Sequence, residues 1–78
     1  MDKHGLSIAI CRVANAVIES LDPIQSPVQV FCIECALDSL AEVAADYGLN
    51  RLENQLQDRS RKIQRGRHAR PIEEAAIS

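Results

Sequence analysis

Apolar residues in the middle of the sequence recur at the spacing of an α-helix that buries one face. Between residues 27 and 47 they follow one another at intervals of three and four, without the alternation that is typical of strands. Such a seam predicts a helix with a stripe about three heptads long. The seam residues are Val30, Ile33, Leu37, Leu40, Ala44 and Tyr47.

The first half of the same helix carries a second apolar patch on the opposite face. At 100° per residue, this patch covers an arc of about 100°. We call it the back patch, and it consists of Val28, Phe31, Cys32 and Cys35. Because a helix that is apolar on two faces needs two partners, we expect the back patch to mediate self-association into a homodimer.

A helix is predicted before this central one, over residues 6–21. Asp22-Pro23 should end it, because the residue before a proline disfavours helical dihedral angles. After a short connector, Ser26 is a suitable N-cap and Pro27 a suitable first residue for the second helix. The apolar stripe of the first helix is predicted to be Leu6, Ile10, Val13, Val17 and Leu21, widened on one side by Cys11, Ala14 and Ile18.

Gly48 predicts the end of the second helix, because glycine readily adopts the left-handed conformation that closes a helix. Asn50 and Glu53 then match the capping-box pattern of a third helix over residues 51–65. One continuous rod through Gly48 is the alternative. The stripe of the third helix is narrow, which suits a coiled-coil contact better than a globular core. Its leucines are Leu49, Leu52 and Leu56.

These elements predict an all-α fold of two or three helices, at about 6–21, 27–47 and 51–65, that form a helical hairpin. The core must be aliphatic, because the 78 residues include one Phe, one Tyr and no Trp. A domain of this size buries only roughly 60% of its unfolded surface, so dimerisation into a helical bundle would add stability. We expect residues 1–65 to form the single domain and residues 66–78 to form a flexible tail.

Charge is unevenly distributed along the chain, although the net charge is only −2. Residues 1–50 contain two basic and seven acidic residues, whereas residues 51–70 contain seven basic and two acidic ones. We call residues 59–70 the basic arm. Its candidate partner-binding residues are Arg59, Arg61, Lys62, Arg65, Arg67 and Arg70.

Arginine dominates the basic arm, and its guanidinium group suits bidentate contacts with carboxylates or phosphates. We therefore expect the arm to bind an acidic surface on a protein partner. Nucleic acid is an alternative partner, although the arm has no aromatic residue on which bases could stack. A third interpretation is that the arm is solvated, or pairs with the acidic side of the second helix.

The three cysteines are an odd number, which excludes a complete set of intrachain disulfides and favours a reducing, cytoplasmic location. Cys32 and Cys35 form a C-x-x-C pair inside a helix. With Cys11 and either His4 or His68 they could bind zinc, and alone they could act as a thiol-redox pair. We favour the interpretation that all three are small buried hydrophobic residues.

The sequence contains no triad, no glycine-rich phosphate loop and no pair of carboxylates in an apolar setting. We therefore expect no catalytic residue, no metal site and no cofactor, and no stretch is apolar enough for a membrane span. The leading hypothesis is a small cytoplasmic protein-interaction module, an adaptor, inhibitor or regulator, that acts as a helical homodimer. A nucleic-acid-binding regulator is the alternative, and a small Cys-based metal or redox protein is the second alternative.

Overall fold

The computed structural model describes residues 2–21 and 26–77, and over these residues it is all-helical, without strands. Three α-helices, α1 (Lys3–Ser20), α2 (Pro27–Asp46) and α3 (Asn50–Gln64), are followed by a 3₁₀ turn at Glu74–Ile77. The all-α fold and all three helices are confirmed. The predicted stop at Asp22-Pro23 lies outside the described residues.

Helix α1 begins three residues earlier than the sequence predicts, because Asp2 serves as its N-cap. The Asp2 Oδ1 atom accepts a hydrogen bond of 2.6 Å from the Gly5 backbone N–H. The buried face of α1 lies on the widened side of the predicted stripe, where Cys11, Ala14 and Ile18 are buried with Ile10. Val13 was predicted in the stripe, but it is 51% exposed.

The capping signals of α2 are confirmed in full. The Ser26 Oγ atom accepts a hydrogen bond of 3.1 Å from the Gln29 backbone N–H, and the Gln29 side chain accepts one of 3.3 Å from the Ser26 N–H. Pro27 is the first helical residue. These contacts satisfy donors that the first turn of a helix would otherwise leave unpaired.

The seam of α2 faces the core over most of its length. Ile33, Leu37 and Ala44 are buried, whereas Val30 and Leu40 are partly buried against the core. Ala41, which the seam omitted, is also buried. Tyr47 was predicted as the last seam residue, but it lies beyond the end of the helix and is 55% exposed.

Helix α2 ends as predicted, and the continuous-rod alternative is wrong. Gly48 has a φ of 72°, in the left-handed region that favours glycine. The Leu49 N–H donates to the Ala44 carbonyl at 2.8 Å, which satisfies one of the open acceptors of the last turn.

The predicted capping box of α3 is wrong, because Asn50 is already helical and Leu49 occupies the N-cap without a side-chain hydrogen bond. The coiled-coil interpretation of its leucines also fails. Leu52 and Leu56 are fully buried in the common core, since α3 packs along α2 in the largest interface between two helices. No helix in the described part of the chain combines the length and hydropathy needed to cross a membrane.

The chain after α3 returns to the helices, whereas the sequence predicts a tail from residue 66. Gly66 turns the chain with a φ of 71°. Ala69 is then 4% exposed and Ile72 is 2% exposed, and both belong to the same hydrophobic cluster as the helices. The core therefore extends beyond the predicted domain limit at residue 65.

Leu56→Ala should test whether the α3 stripe belongs to the core. We expect a loss of about 2–5 kcal/mol in the free energy of unfolding, because the change leaves a cavity at a fully buried site. Val13→Ala, at an exposed position of α1, is the control and should cost about 0.5 kcal/mol or less. Urea titration followed by circular dichroism measures both, and similar values would contradict the assignment.

Candidate interaction surfaces

The back patch is exposed on the outer face of α2, where the sequence places it. Val28 is 71% exposed and Phe31 is 63% exposed, and Cys32 and Cys35 are exposed as well. The opposite face of the same turns is buried in the core, so the back patch has no neighbour within the described chain. Val43, at 39% exposure, continues this surface farther along α2 and was missed.

The outer face of α2 changes character toward its C-terminal end. Beyond the back patch it presents the exposed acidic residues Asp38, Glu42 and Asp46. Apolar and acidic areas therefore follow one another along a single helix. The sequence pattern predicted this division, because the second half of the helix is amphipathic in only one direction.

The three cysteines are free, and they lie in two different environments. The interpretation as buried hydrophobic residues holds for Cys11, but it is wrong for Cys32 and Cys35, which are exposed. Within residues 2–21 and 26–77 no group of three or more potential ligands is placed to hold a metal ion. The zinc set that the sequence suggests is therefore not assembled there.

Cys11 forms part of the contact between α1 and the C-terminal segment. Its Sγ atom donates to the Ile72 carbonyl at 3.3 Å and accepts from the Asn15 Nδ2 atom at 3.7 Å. Burial raises the pKa of the Cys11 thiol, and the Glu74 carboxylate raises it further, which outweighs the opposing effects of Arg12 and Asn15. The thiol is thus protonated near neutral pH and can donate.

Asn15 binds both polar groups of one backbone residue. Its Oδ1 atom accepts from the Ile72 N–H at 2.7 Å, and its Nδ2 atom donates to the Ile72 carbonyl at 2.9 Å. Nearby, Arg12 and Glu74 form an exposed ion pair at 3.0 Å. This contact was not predicted from the sequence, although the apolar residues Ala69 and Ile72 in the predicted tail could have indicated it.

Arg59 is committed to the C-terminal segment and does not project as part of a free arm. Its Nε atom donates to the Arg70 carbonyl at 2.8 Å, and its Nη2 atom donates to the Pro71 carbonyl at 3.5 Å. Its Nη1 atom pairs with Asp58 at 2.8 Å. The assignment of Arg59 as a partner-binding residue is therefore corrected to a role in holding residues 70 and 71.

Lys62 is also engaged, since its Nζ atom lies 3.2 Å from the Asp58 Oδ2 atom. Desolvation alone would raise the pKa of Asp58, but hydrogen bonds from Lys62 and Arg59 outweigh it and hold this pKa below its ordinary value. The remaining candidates of the basic arm are exposed. They are Arg61, Arg65, Arg67 and Arg70.

Depressions on the surface lie beside α3 and beside the C-terminal segment. One, of about 490 Å³, is lined by Arg51, Asn54, Gln55 and Asp58 and is open to solvent. The other, of about 330 Å³, lies beside the C-terminal segment. Its lining residues are Ile18, Glu19, His68, Ala69 and Pro71.

Comparisons with known proteins add no functional assignment. No protein-family model matches the chain, and neither a curated protein nor a solved structure is significantly similar to it. The features of this chain that bear on function are the back patch, the exposed arginines and the contacts of the C-terminal segment.

Thiol reactivity should separate the two cysteine environments. In the native protein we expect Cys32 and Cys35 to react rapidly with a thiol reagent, because both thiols are exposed. Cys11 should react only on unfolding, because it is fully buried and its pKa is raised. Spectrophotometric titration with and without denaturant measures this, and three equally fast thiols would contradict it.

Proposed function

We propose that this protein is a small non-catalytic protein-interaction module, an adaptor, inhibitor or regulator in the cytoplasm. It acts as a helical homodimer and binds an acidic protein partner through the basic arm. Its action requires no cofactor, since it works by occupying surfaces.

The exposure of the back patch is the observation that carries this proposal. Phe31 is the only phenylalanine in the chain, yet it lies mostly in solvent. Burying one such side chain is worth about 1.5–3 kcal/mol, so an exposed Phe beside Val28 and two thiols favours a partner surface.

A second copy of the chain is the partner that we assign to the back patch. Symmetric dimers are the commonest homo-oligomers, and their interfaces place the same patch on both subunits. An apolar patch meets this requirement, because it pairs with itself without charge repulsion.

The exposed arginines define the surface for the acidic partner. Arg61 and Arg65 project from the end of α3, and Arg67 and Arg70 follow in the chain beyond it. Positive side chains in this position are also compatible with the negative end of the α3 dipole. Compared with the sequence-based set, the binding surface is smaller because Arg59 and Lys62 have partners within the chain.

Phe31→Glu should convert the dimer to a monomer. Placing a charge in a symmetric apolar contact costs several kcal/mol, since each interface contains the change twice. Sedimentation equilibrium at micromolar concentration measures the molecular mass, with Val13→Glu as the matched exposed control on α1. A wild-type protein that is monomeric at this concentration would overturn the dimer.

Reversing the four exposed arginines to glutamate should weaken partner binding and leave the helical circular dichroism unchanged. The control reverses Asp38, Glu42 and Asp46 to lysine, which changes charge elsewhere. Affinity capture from native extract, followed by salt titration of the captured partner, is the measurement. If the variant with four glutamates still retains an acidic protein, the assignment of the arginines is refuted. If the wild type retains nucleic acid and this variant does not, nucleic acid is favoured as the partner.

A further inference from the structure

The C-terminal segment lies on α1 and α3 and is held by side chains of both helices. We call residues 69–74 the docked segment, and the surface of α1 and α3 that they cover the segment site. Asn15 on α1 and Arg59 on α3 hold the docked segment from two sides.

Asn15, Cys11 and Arg59 form hydrogen bonds with the peptide backbone of the docked segment. Asn15 satisfies both the N–H and the carbonyl of Ile72, and Cys11 donates to that same carbonyl. Arg59 donates to the next two carbonyls toward the N-terminus. Because such bonds are available from any sequence, they supply affinity without selecting side chains.

Side-chain selection comes from three positions of the docked segment. Ile72 and Ala69 are buried in the core cluster, so the site accepts an aliphatic residue with a small residue three positions before it. Glu74, two positions after Ile72, pairs with Arg12. A backbone clamp with pockets at fixed intervals is the arrangement of peptide-recognition sites.

The docked segment leaves part of its site unfilled. The depression of about 330 Å³ lies between Ile18 and Glu19 of α1, Ala69 and Pro71 of the docked segment, and His68, which immediately precedes the docked segment. His68 is exposed, and a larger apolar side chain at its position could lie against Ile18. The chain's own segment is therefore an imperfect ligand for this site.

We propose that the segment site binds an extended segment of another protein, with the docked segment acting as a competitor within the chain. The ligand has a small residue, an aliphatic residue three positions later and an acidic residue two positions after that, and an aliphatic residue at the His68 position improves it. This proposal does not depend on the homodimer, since the back patch lies on α2.

The connection to α3 allows such an exchange. Residues 65–68 are exposed, and beyond its chain neighbours Gly66 has open space where a Cβ atom would lie. A short tether of this kind holds a segment at millimolar effective concentration, so the docked segment competes strongly but can be displaced.

The test uses a fluorescein-labelled peptide of residues 67–78 and the full-length chain. The chain variant Ile72→Asp cannot seat its own segment, so we expect it to bind the peptide at least about tenfold more tightly than the wild-type chain does. A peptide with Ile72→Asp should bind neither chain. A peptide with His68→Leu should bind about fivefold more tightly than the wild-type peptide.

Cys11 reports whether the site is occupied, because it is fully buried against Ile72. In a chain with Cys32→Ser and Cys35→Ser, alkylation of Cys11 should be slow, should accelerate with Ile72→Asp and should slow again when peptide is added. Protection by peptide distinguishes an open site from an unfolded chain.

The milder chain variant Glu74→Arg, at an exposed ion pair, should raise peptide affinity by up to about fivefold.

Equal peptide affinity for wild-type and Ile72→Asp chains would overturn the proposal. So would Cys11 alkylation in the Ile72→Asp chain that peptide does not slow. If wild-type and Ile72→Asp chains associate with each other while neither binds the peptide, the segment site serves exchange between copies, and binding of a foreign segment is refuted.

Discussion

The return of the chain across α1 and α3 is the contact on which the arrangement of the other parts depends. Helices α2 and α3 pack along each other directly, whereas the contact between α1 and α3 is small. Ile72 and Asn15 join the C-terminal segment to α1, and Arg59 joins it to α3. The segment thereby bridges two helices that touch little otherwise. It also buries Cys11 and completes an aliphatic core that lacks large aromatic side chains.

The small number of helices also explains why the back patch is exposed on the surface. With Leu37, Leu52 and Leu56 fully buried, the inner side of α2 is already filled by α1 and α3. Within residues 2–21 and 26–77 no further helix lies over the outer side, where Phe31 is exposed. The apolar surface of α2 exceeds what the described residues cover, and this excess is the physical basis for proposing a second copy.

Local sequence signals made much of the fold predictable. The predictions were wrong where contacts between residues far apart in the sequence determine the structure. Ser26-Pro27 and Gly48 act within one turn of chain, so their effects could be read directly from sequence. Ile72, in contrast, pairs with a residue 57 positions away. No periodicity reveals such a contact, and the wrong placement of Val13 in the α1 stripe has the same cause: the segment covers α1 on the Cys11 side and leaves Val13 exposed.

The candidate surfaces, too, were predictable only where residues close together in the sequence determine them. The back patch was predictable because its residues share one helix and are separated by one turn. The basic arm was only partly predictable, because composition cannot show that Arg59 donates to the backbone of residues 70 and 71. A charged side chain that caps a returning segment looks, in sequence, the same as one that is free to bind a partner.

The two proposed binding surfaces share one stretch of chain, and this has a thermodynamic consequence. Arg70 belongs to the basic arm, yet its carbonyl is held by Arg59 in the docked segment. An acidic partner that binds Arg67 and Arg70 in a different backbone conformation must break that hydrogen bond and weaken the seating of Ile72. By linkage, a peptide that displaces the docked segment must then favour the acidic partner by the same factor. Binding of a peptide to the segment site and binding of an acidic partner to the basic arm are thus coupled through the backbone that joins the two surfaces.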